Sequence, residues 1–77
     1  MTATEISQKM IRELERTIRA YEVIQASGNN NLAQKVFEEF MAQQKLVQNV
    51  LDVTIDLEDK GEHYEVVVYF RKEQNNG

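Results

Sequence analysis

The chain's clearest pattern is LDVTIDLEDKGEHYEVVVYFR, residues Leu51–Arg71, which is typical of a β-hairpin. Its first arm alternates apolar and polar residues with the two-residue period of a half-buried strand. Its second arm places Tyr64, Val66, Val68 and Phe70 on one face. Gly61, between the arms, supplies the positive φ that a tight turn needs. We therefore predict a turn centred on Lys60 and Gly61, formed by those two residues or by a four-residue loop over residues 59–62.

The register of this hairpin is predicted by bringing the two apolar faces together. This gives four pairs on the buried face: Leu57 with Tyr64, Ile55 with Val66, Val53 with Val68, and Leu51 with Phe70. On the polar face, the same register places Asp56 directly opposite Glu65, and His63 across from Glu58. Two carboxylates in opposed positions destabilise a hairpin modestly, so the pair of Asp56 and Glu65 needs an explanation.

Three explanations fit the pair of Asp56 and Glu65. Both carboxylates can extend into water, where salt screens their repulsion. They can instead hold a cation with Glu58 or His63. The sequence there fails the calcium-loop pattern because Lys60 stands at a ligand position, so no metal ligand is assigned. In the third explanation, the acidic face docks onto a basic surface of another protein.

The totals limit the chain to one small domain. It has 77 residues, a net charge of −4 and no cysteine. The lack of cysteine excludes disulfides and thiolate metal sites, and no stretch resembles a signal peptide or a membrane span, so we expect a cytoplasmic protein. We predict one α+β domain over residues 1–72 and a disordered tail over residues 73–77. All the excess negative charge lies on the hairpin and the tail.

A first helix is predicted to begin at the capping box Thr2-Ala3-Thr4-Glu5 and to end before Gly28, which suits the left-handed position that closes a helix. Glu15 is spaced to pair with Arg12 and Arg19 along the outer side of this helix. Its apolar stripe is formed by Ile6, Met10, Leu14, Ile18 and Tyr21, with Thr17 and Ile24 beside it.

A second helix is predicted from about Leu32 to near Gln48. Asn31 and Gln34 have the spacing of a second capping box, and the switch from helix to strand is placed near Asn49. Because the connection is short, the two helices are expected to be antiparallel neighbours. The apolar face of this helix is formed by Leu32, Val36, Phe37, Phe40, Met41 and Val47.

Gln43 and Gln44 interrupt that apolar face, and two interpretations of them remain open. Their aliphatic stems can cover the rim of the core. Alternatively, the two amides form a polar layer in a subunit interface. We favour the first of these interpretations.

The second arm of the hairpin is apolar on both faces, which is typical of a strand inside a sheet rather than at its edge. A two-stranded sheet has no inner strand. We therefore predict a homodimer in which the second strands of two copies pair across a twofold axis and form a four-stranded sheet. The alternative is that Val67 and Tyr69 bind a different protein, by strand addition or by face contact.

The predicted fold is thus α+β, an antiparallel helical hairpin packed on one face of a C-terminal β-hairpin in the order α-α-β-β. Catalysis has little support because His63 is the single histidine and no nucleophile motif or phosphate loop is present. We therefore predict no enzyme, no catalytic residue and no cofactor. The leading hypothesis is a small protein-interaction or regulatory protein. Its predicted partner-binding residues, on the outer face of the hairpin, are Asp52, Asp56, Glu65, Val67 and Tyr69.

The competing hypothesis is a nucleic-acid-associated protein that uses a basic ridge on the first helix. The ridge is formed by Lys9, Arg12, Arg16 and Arg19. Against it, the chain is acidic and no aromatic residue is interleaved with the basic ones to stack on bases. A third possibility is a structural subunit whose only role is assembly.

Overall fold

The computed structural model describes residues 3–70 and contains two helices followed by a β-hairpin. Helix α1 spans Ala3–Ala26, helix α2 spans Asn30–Leu51, strand β1 spans Val53–Asp59 and strand β2 spans Tyr64–Phe70. The predicted α-α-β-β order and α+β class are confirmed. Thr2, part of the predicted capping box, and the predicted disordered tail lie outside the described residues. Within residues 3–70, neither helix is long and apolar enough to cross a membrane.

The connection between the helices is shorter than the sequence predicted. Gly28 has φ +88°, which closes α1 in the left-handed region. Asn29 then caps α2, because its side-chain oxygen accepts a hydrogen bond from the backbone N–H of Leu32 at 3.2 Å. The predicted cap at Asn31 is therefore wrong, since α2 has already begun at Asn30.

Helix α2 also ends later than predicted, so the switch placed near Asn49 is wrong. The helix continues to Leu51, which packs against the core and keeps the helical period of Val47. Asp52 then adopts φ +56°, and its backbone N–H bonds the carbonyl of Gln48. Aspartate tolerates this left-handed conformation better than most residues with a side chain. Leu51 and Asp52 therefore belong to the end of the helix, not to the strand.

The hairpin has the predicted faces but not the predicted register. Leu57 lies opposite Val66 rather than Tyr64, and Val53 lies opposite Phe70, so the pairing is displaced by two residues. A two-residue displacement leaves every side chain on the same face, which is why face matching could not detect it. The loop is residues 60–63, where Lys60 N–H donates to the His63 carbonyl at 2.8 Å.

One face of the hairpin packs on the helix pair and closes the core. The central cluster of buried side chains is formed by Leu14 and Ile18 from α1, Phe40 and Val47 from α2, and Val53 and Ile55 from β1. The two strands are covered unequally. Val53 and Ile55 are 0% and 1% exposed, whereas Val66 and Val68 on β2 are only half-buried and Phe70 is 70% exposed.

Candidate functional site

The outer face of the hairpin points away from the helices and carries most of the predicted partner-binding residues. We call it the acidic–aromatic face; it consists of Thr54, Asp56, Glu58, Glu65, Val67 and Tyr69. Asp52 is not part of it, because this residue lies in the left-handed position after α2. Thr54 and Glu58, which were not among the predicted site residues, are part of it because the strand alternation places them beside Asp56.

The opposed carboxylates on this face are Glu58 and Glu65, not Asp56 and Glu65 as predicted. Lys60 reduces their repulsion, because its Nζ lies 3.1 Å from Glu58 Oε1. The hydrogen bond and the charge of Glu58 raise the pKa of Lys60. His63 is in the loop rather than across from Glu58, and its Nε2 lies 3.7 Å from Glu65 Oε2. The register found in the structure thus brings a basic group to each of the two glutamates.

Asp56 and Val67 form the middle pair of the acidic–aromatic face. Val67 is half-buried although it faces away from the helices, and Tyr69 is 49% exposed. The Tyr69 hydroxyl makes a long, weak contact of 3.5 Å with Glu58 Oε2, which lies diagonally across the sheet beyond that middle pair. The result is an apolar and aromatic patch of Val67 and Tyr69 with carboxylates beside it.

The outer edge of β1 is covered at Ile55 by two glutamines of α2. Ile55 N–H donates to Gln48 Oε1 at 2.7 Å, and Gln44 Nε2 donates to the Ile55 carbonyl at 2.5 Å. The other glutamine of the predicted pair, Gln43, accepts from the Thr17 hydroxyl at 2.8 Å. These amides bond within the chain, and Gln44 and Gln48 occupy backbone groups that would otherwise be open to another strand.

Among the described residues 3–70, the outer edge of β2 is covered only at Tyr64, where the strand begins. Tyr64 N–H donates to Glu22 Oε2 at 2.6 Å, and Arg19 Nη1 donates to the Tyr64 carbonyl at 2.9 Å. Arg19 and Glu22 also form a salt bridge of 2.8 Å. Partial burial opposes ionisation of Glu22, but the Tyr64 N–H and the Arg19 guanidinium outweigh it and lower the pKa of this carboxyl.

The rest of the β2 edge is open. Antiparallel strands alternate between hydrogen-bonded and non-bonded pairs. The backbone N–H and C=O of Ile55 bond glutamine side chains of α2, so they point away from β2. The pair of Ile55 with Val68 is therefore a non-bonded pair. The backbone N–H and C=O groups of Val66, Val68 and Phe70 therefore point away from β1. Within the part of the chain that the structure describes, no side-chain hydrogen bond reaches them.

The basic ridge proposed for nucleic acid is interrupted by carboxylates. Lys9, Arg12 and Arg16 line one shallow groove together with Glu5, Gln8 and Glu13. Arg16 pairs with Glu13 at 3.3 Å. Arg19 is apart from the groove, since it is held by Glu22 and Tyr64. The predicted pairing of Glu15 with Arg12 and Arg19 is wrong, and among residues 3–70 neither Glu15 nor Arg12 has an ion-pair partner.

Among the described residues, no three histidine, cysteine, aspartate or glutamate side chains are grouped closely enough to hold a metal ion. Asp56 and Glu65, the two residues of the cation explanation, are diagonal neighbours on the same face rather than opposed. No known protein family, curated protein or solved structure matches the chain.

Proposed function

We propose that the chain is a small, non-enzymatic protein-interaction or regulatory protein whose working surface is the acidic–aromatic face. The observation that carries the proposal is the composition of that face. Val67 and Tyr69 are neighbours on this face of β2, and Asp56, Glu58 and Glu65 lie beside them. Aromatic residues in an apolar centre with a polar rim are typical of protein-binding surfaces.

The charge of this face supports a partner with a basic surface. Lys60 pairs with Glu58, but Asp56 has no ion-pair partner among residues 3–70. The net charge of the chain is −4, and the excess of acidic residues lies from Leu51 onward. Such a surface accelerates and orients docking onto lysine- and arginine-rich surfaces, and the resulting affinity falls as salt is added.

The proposal includes two further elements, a homodimer and a cytoplasmic location. The unequal covering of the two strands and the open edge of β2 support the dimer. The cysteine-free sequence supports a reducing compartment. The nucleic-acid hypothesis has less support, because Arg19 is engaged with Tyr64 and Glu13 neutralises Arg16.

The test is affinity capture from an extract of the organism that makes the protein. The wild-type chain is compared with a Tyr69→Ala, Asp56→Lys variant. The matched control is Met41→Ala, Glu38→Lys, which makes the same change of charge and also shortens an exposed large side chain, but on α2.

We expect the same proteins on the wild type and on the control, and at least about tenfold less of them on the hairpin variant, which corresponds to ~1.4 kcal/mol. Their retention should weaken with salt. Equal retention by the hairpin variant, or no specific capture by the wild type, contradicts the proposed function.

A further inference from the structure

We propose that a second copy of the chain binds along the open edge of β2 in an antiparallel register centred on Val68, with Ile11 of α1 at the twofold axis. This inference rests on the homodimer included in the proposed function and adds where the two copies meet. The observations that carry it are the open backbone groups, the unequal burial of the strands and the charges on one side of α1.

The open backbone groups fix the register. The free groups on this edge belong to Val66, Val68 and Phe70, because Arg19 and Glu22 occupy those of Tyr64. A register centred on Val68 pairs Val66 with the partner's Phe70 and Val68 with the partner's Val68. All three open residues then form hydrogen bonds across the interface, and the covered end at Tyr64 is left undisturbed.

The side chains on the inner face match in this register. Phe70 is 70% exposed although it is on the same face of the hairpin as the half-buried Val66 and Val68. Pairing with the partner's Val66 gives Phe70 an apolar neighbour and extends the core across the axis. On the outer face, Val67 lies beside the partner's Tyr69. Both faces therefore pair apolar with apolar, as an interface between identical copies requires.

Helix α1 contributes to the same contact. Arg19 and Glu22 show which side of α1 is turned to the β2 edge. At 100° per residue, Ile11 lies within 20° of Glu22 on that side. Strand β2 runs antiparallel to α1, and Tyr64 lies beside Arg19 and Glu22. The four residues from Tyr64 to Val68 span about 13 Å, which is the length of about nine helix residues. Counted back from Arg19 and Glu22, this distance places the twofold axis at the level of Ile11.

The charges around Ile11 favour a second copy as the occupant. Arg12 precedes Arg19 by seven residues, and Glu15 precedes Glu22 by seven. Two helical turns therefore place one more arginine and one more glutamate on the same side of α1. Neither residue has an ion-pair partner among residues 3–70. A helix side that carries a positive and a negative charge beside an isoleucine can face an identical copy across a twofold axis. Arg12 of each copy then lies near the partner's Glu15.

The test is sedimentation velocity over a range of protein concentrations. The variants are Ile11→Lys, which places a charge at the axis, and Val68→Pro, which removes an outward N–H from the paired edge. The control is Val23→Lys, which introduces the same charge at another apolar residue of α1. Val23 is 70% exposed. Circular dichroism establishes that each variant is folded, and Ile11→Lys lies outside the buried core.

We expect the wild type and Val23→Lys to dimerise equally, and both test variants to dimerise at least about tenfold more weakly, a loss of ~1.4 kcal/mol. A wild-type dimer that Ile11→Lys leaves unchanged overturns the inferred contact and leaves the homodimer standing. A monomeric wild type overturns both. Capture by the acidic–aromatic face is tested separately, by comparing the Tyr69→Ala, Asp56→Lys variant with its α2 control.

Discussion

Single side chains hold the hairpin in place through its backbone. Glu22 and Arg19 bond the two backbone groups of Tyr64 and also bond each other. The ring of Tyr64 packs against Tyr21, at 5.9 Å between centroids. Burial of this ring raises the pKa of Tyr64, and the neighbouring Tyr21, Asp59 and Glu22 act in the same direction. One ion pair therefore links α1 to the first residue of β2.

This arrangement predicts a pH dependence that belongs to Glu22. Its pKa in the folded chain is below the ordinary value of 4.5, so below pH 4.5 the folded chain takes up this proton less readily than the unfolded chain. The stabilisation is therefore complete above that pH and is lost as the pH falls through the lowered pKa.

The measurement is urea unfolding of the wild type and Glu22→Gln at several pH values. We expect the wild type to be the more stable protein at pH 7, and the difference in unfolding free energy to shrink as the pH is lowered below about 4.5. A difference that is constant with pH contradicts the role given to the Glu22 carboxylate.

At the scale of the elements, both edges of the hairpin are partly closed by helix side chains. Gln48 accepts from the N–H of Ile55, and Gln44, one turn earlier on α2, donates to its C=O. This bonding resembles that of a neighbouring strand and blocks pairing with another chain at Ile55. Among residues 3–70, the β2 edge has such a cover only at Tyr64.

Replacing Gln48 should therefore destabilise the fold. Gln48→Leu leaves the half-buried N–H of Ile55 without its acceptor, and we expect a loss of ~1–3 kcal/mol in the free energy of unfolding. Gln34→Leu, at an exposed position of the same helix, should change it by less than about 0.5 kcal/mol. Equal effects of the two substitutions in chemical denaturation would show that the Gln48 bond adds no stability.

The sequence predicts the elements well because their periods are strong. The apolar stripe through Leu14 and Ile18 and the alternation through Val53 and Ile55 correspond to the buried core. The register could not be predicted the same way, since both candidate pairings bury the same side chains. The observed register comes with loop contacts that the apolar–polar alternation does not predict. One of them is the hydrogen bond from Gly61 N–H to Asp59 Oδ1 at 2.8 Å.

The alternation of the strands also predicted most of the candidate site. Asp56, Glu65, Val67 and Tyr69 share one face, as the alternation required. Asp52 does not, because the helical period continues through Leu51 and the boundary lies beyond the point that Asn49 suggested. The role of Arg19 at the β2 edge joins residues 45 positions apart and has no local signal.

At the scale of the whole molecule, the chain resembles one half of a larger layered structure. The helix pair buries Val53 and Ile55 of β1 but leaves Phe70 of β2 exposed. Within residues 3–70, most of the outward backbone groups of β2 are also open. A second copy along β2 would make β2 an inner strand, and the two acidic–aromatic faces would form one continuous surface. A partner with basic residues would then meet twice the charge that one copy presents.

This predicts that partner binding and dimerisation respond differently to salt. Partner binding depends on opposite charges across an exposed surface, so its affinity should fall at least about tenfold between 50 mM and 500 mM salt. Dimerisation depends chiefly on strand pairing and apolar contact, so its dissociation constant should change by less than about threefold. Parallel titrations by calorimetry and sedimentation make the comparison. Salt-independent partner binding contradicts the electrostatic role of Asp56 and Glu65.

The most direct test of the central claim, that β2 is an inner strand of a sheet shared by two copies, is amide hydrogen exchange measured residue by residue at low and high protein concentration. The amides of Val66 and Val68 should exchange rapidly in the monomer and become protected as the concentration rises, while that of Ile55, bonded to Gln48, is protected throughout. Exchange at Val66 and Val68 that is equally fast at every concentration would contradict the claim.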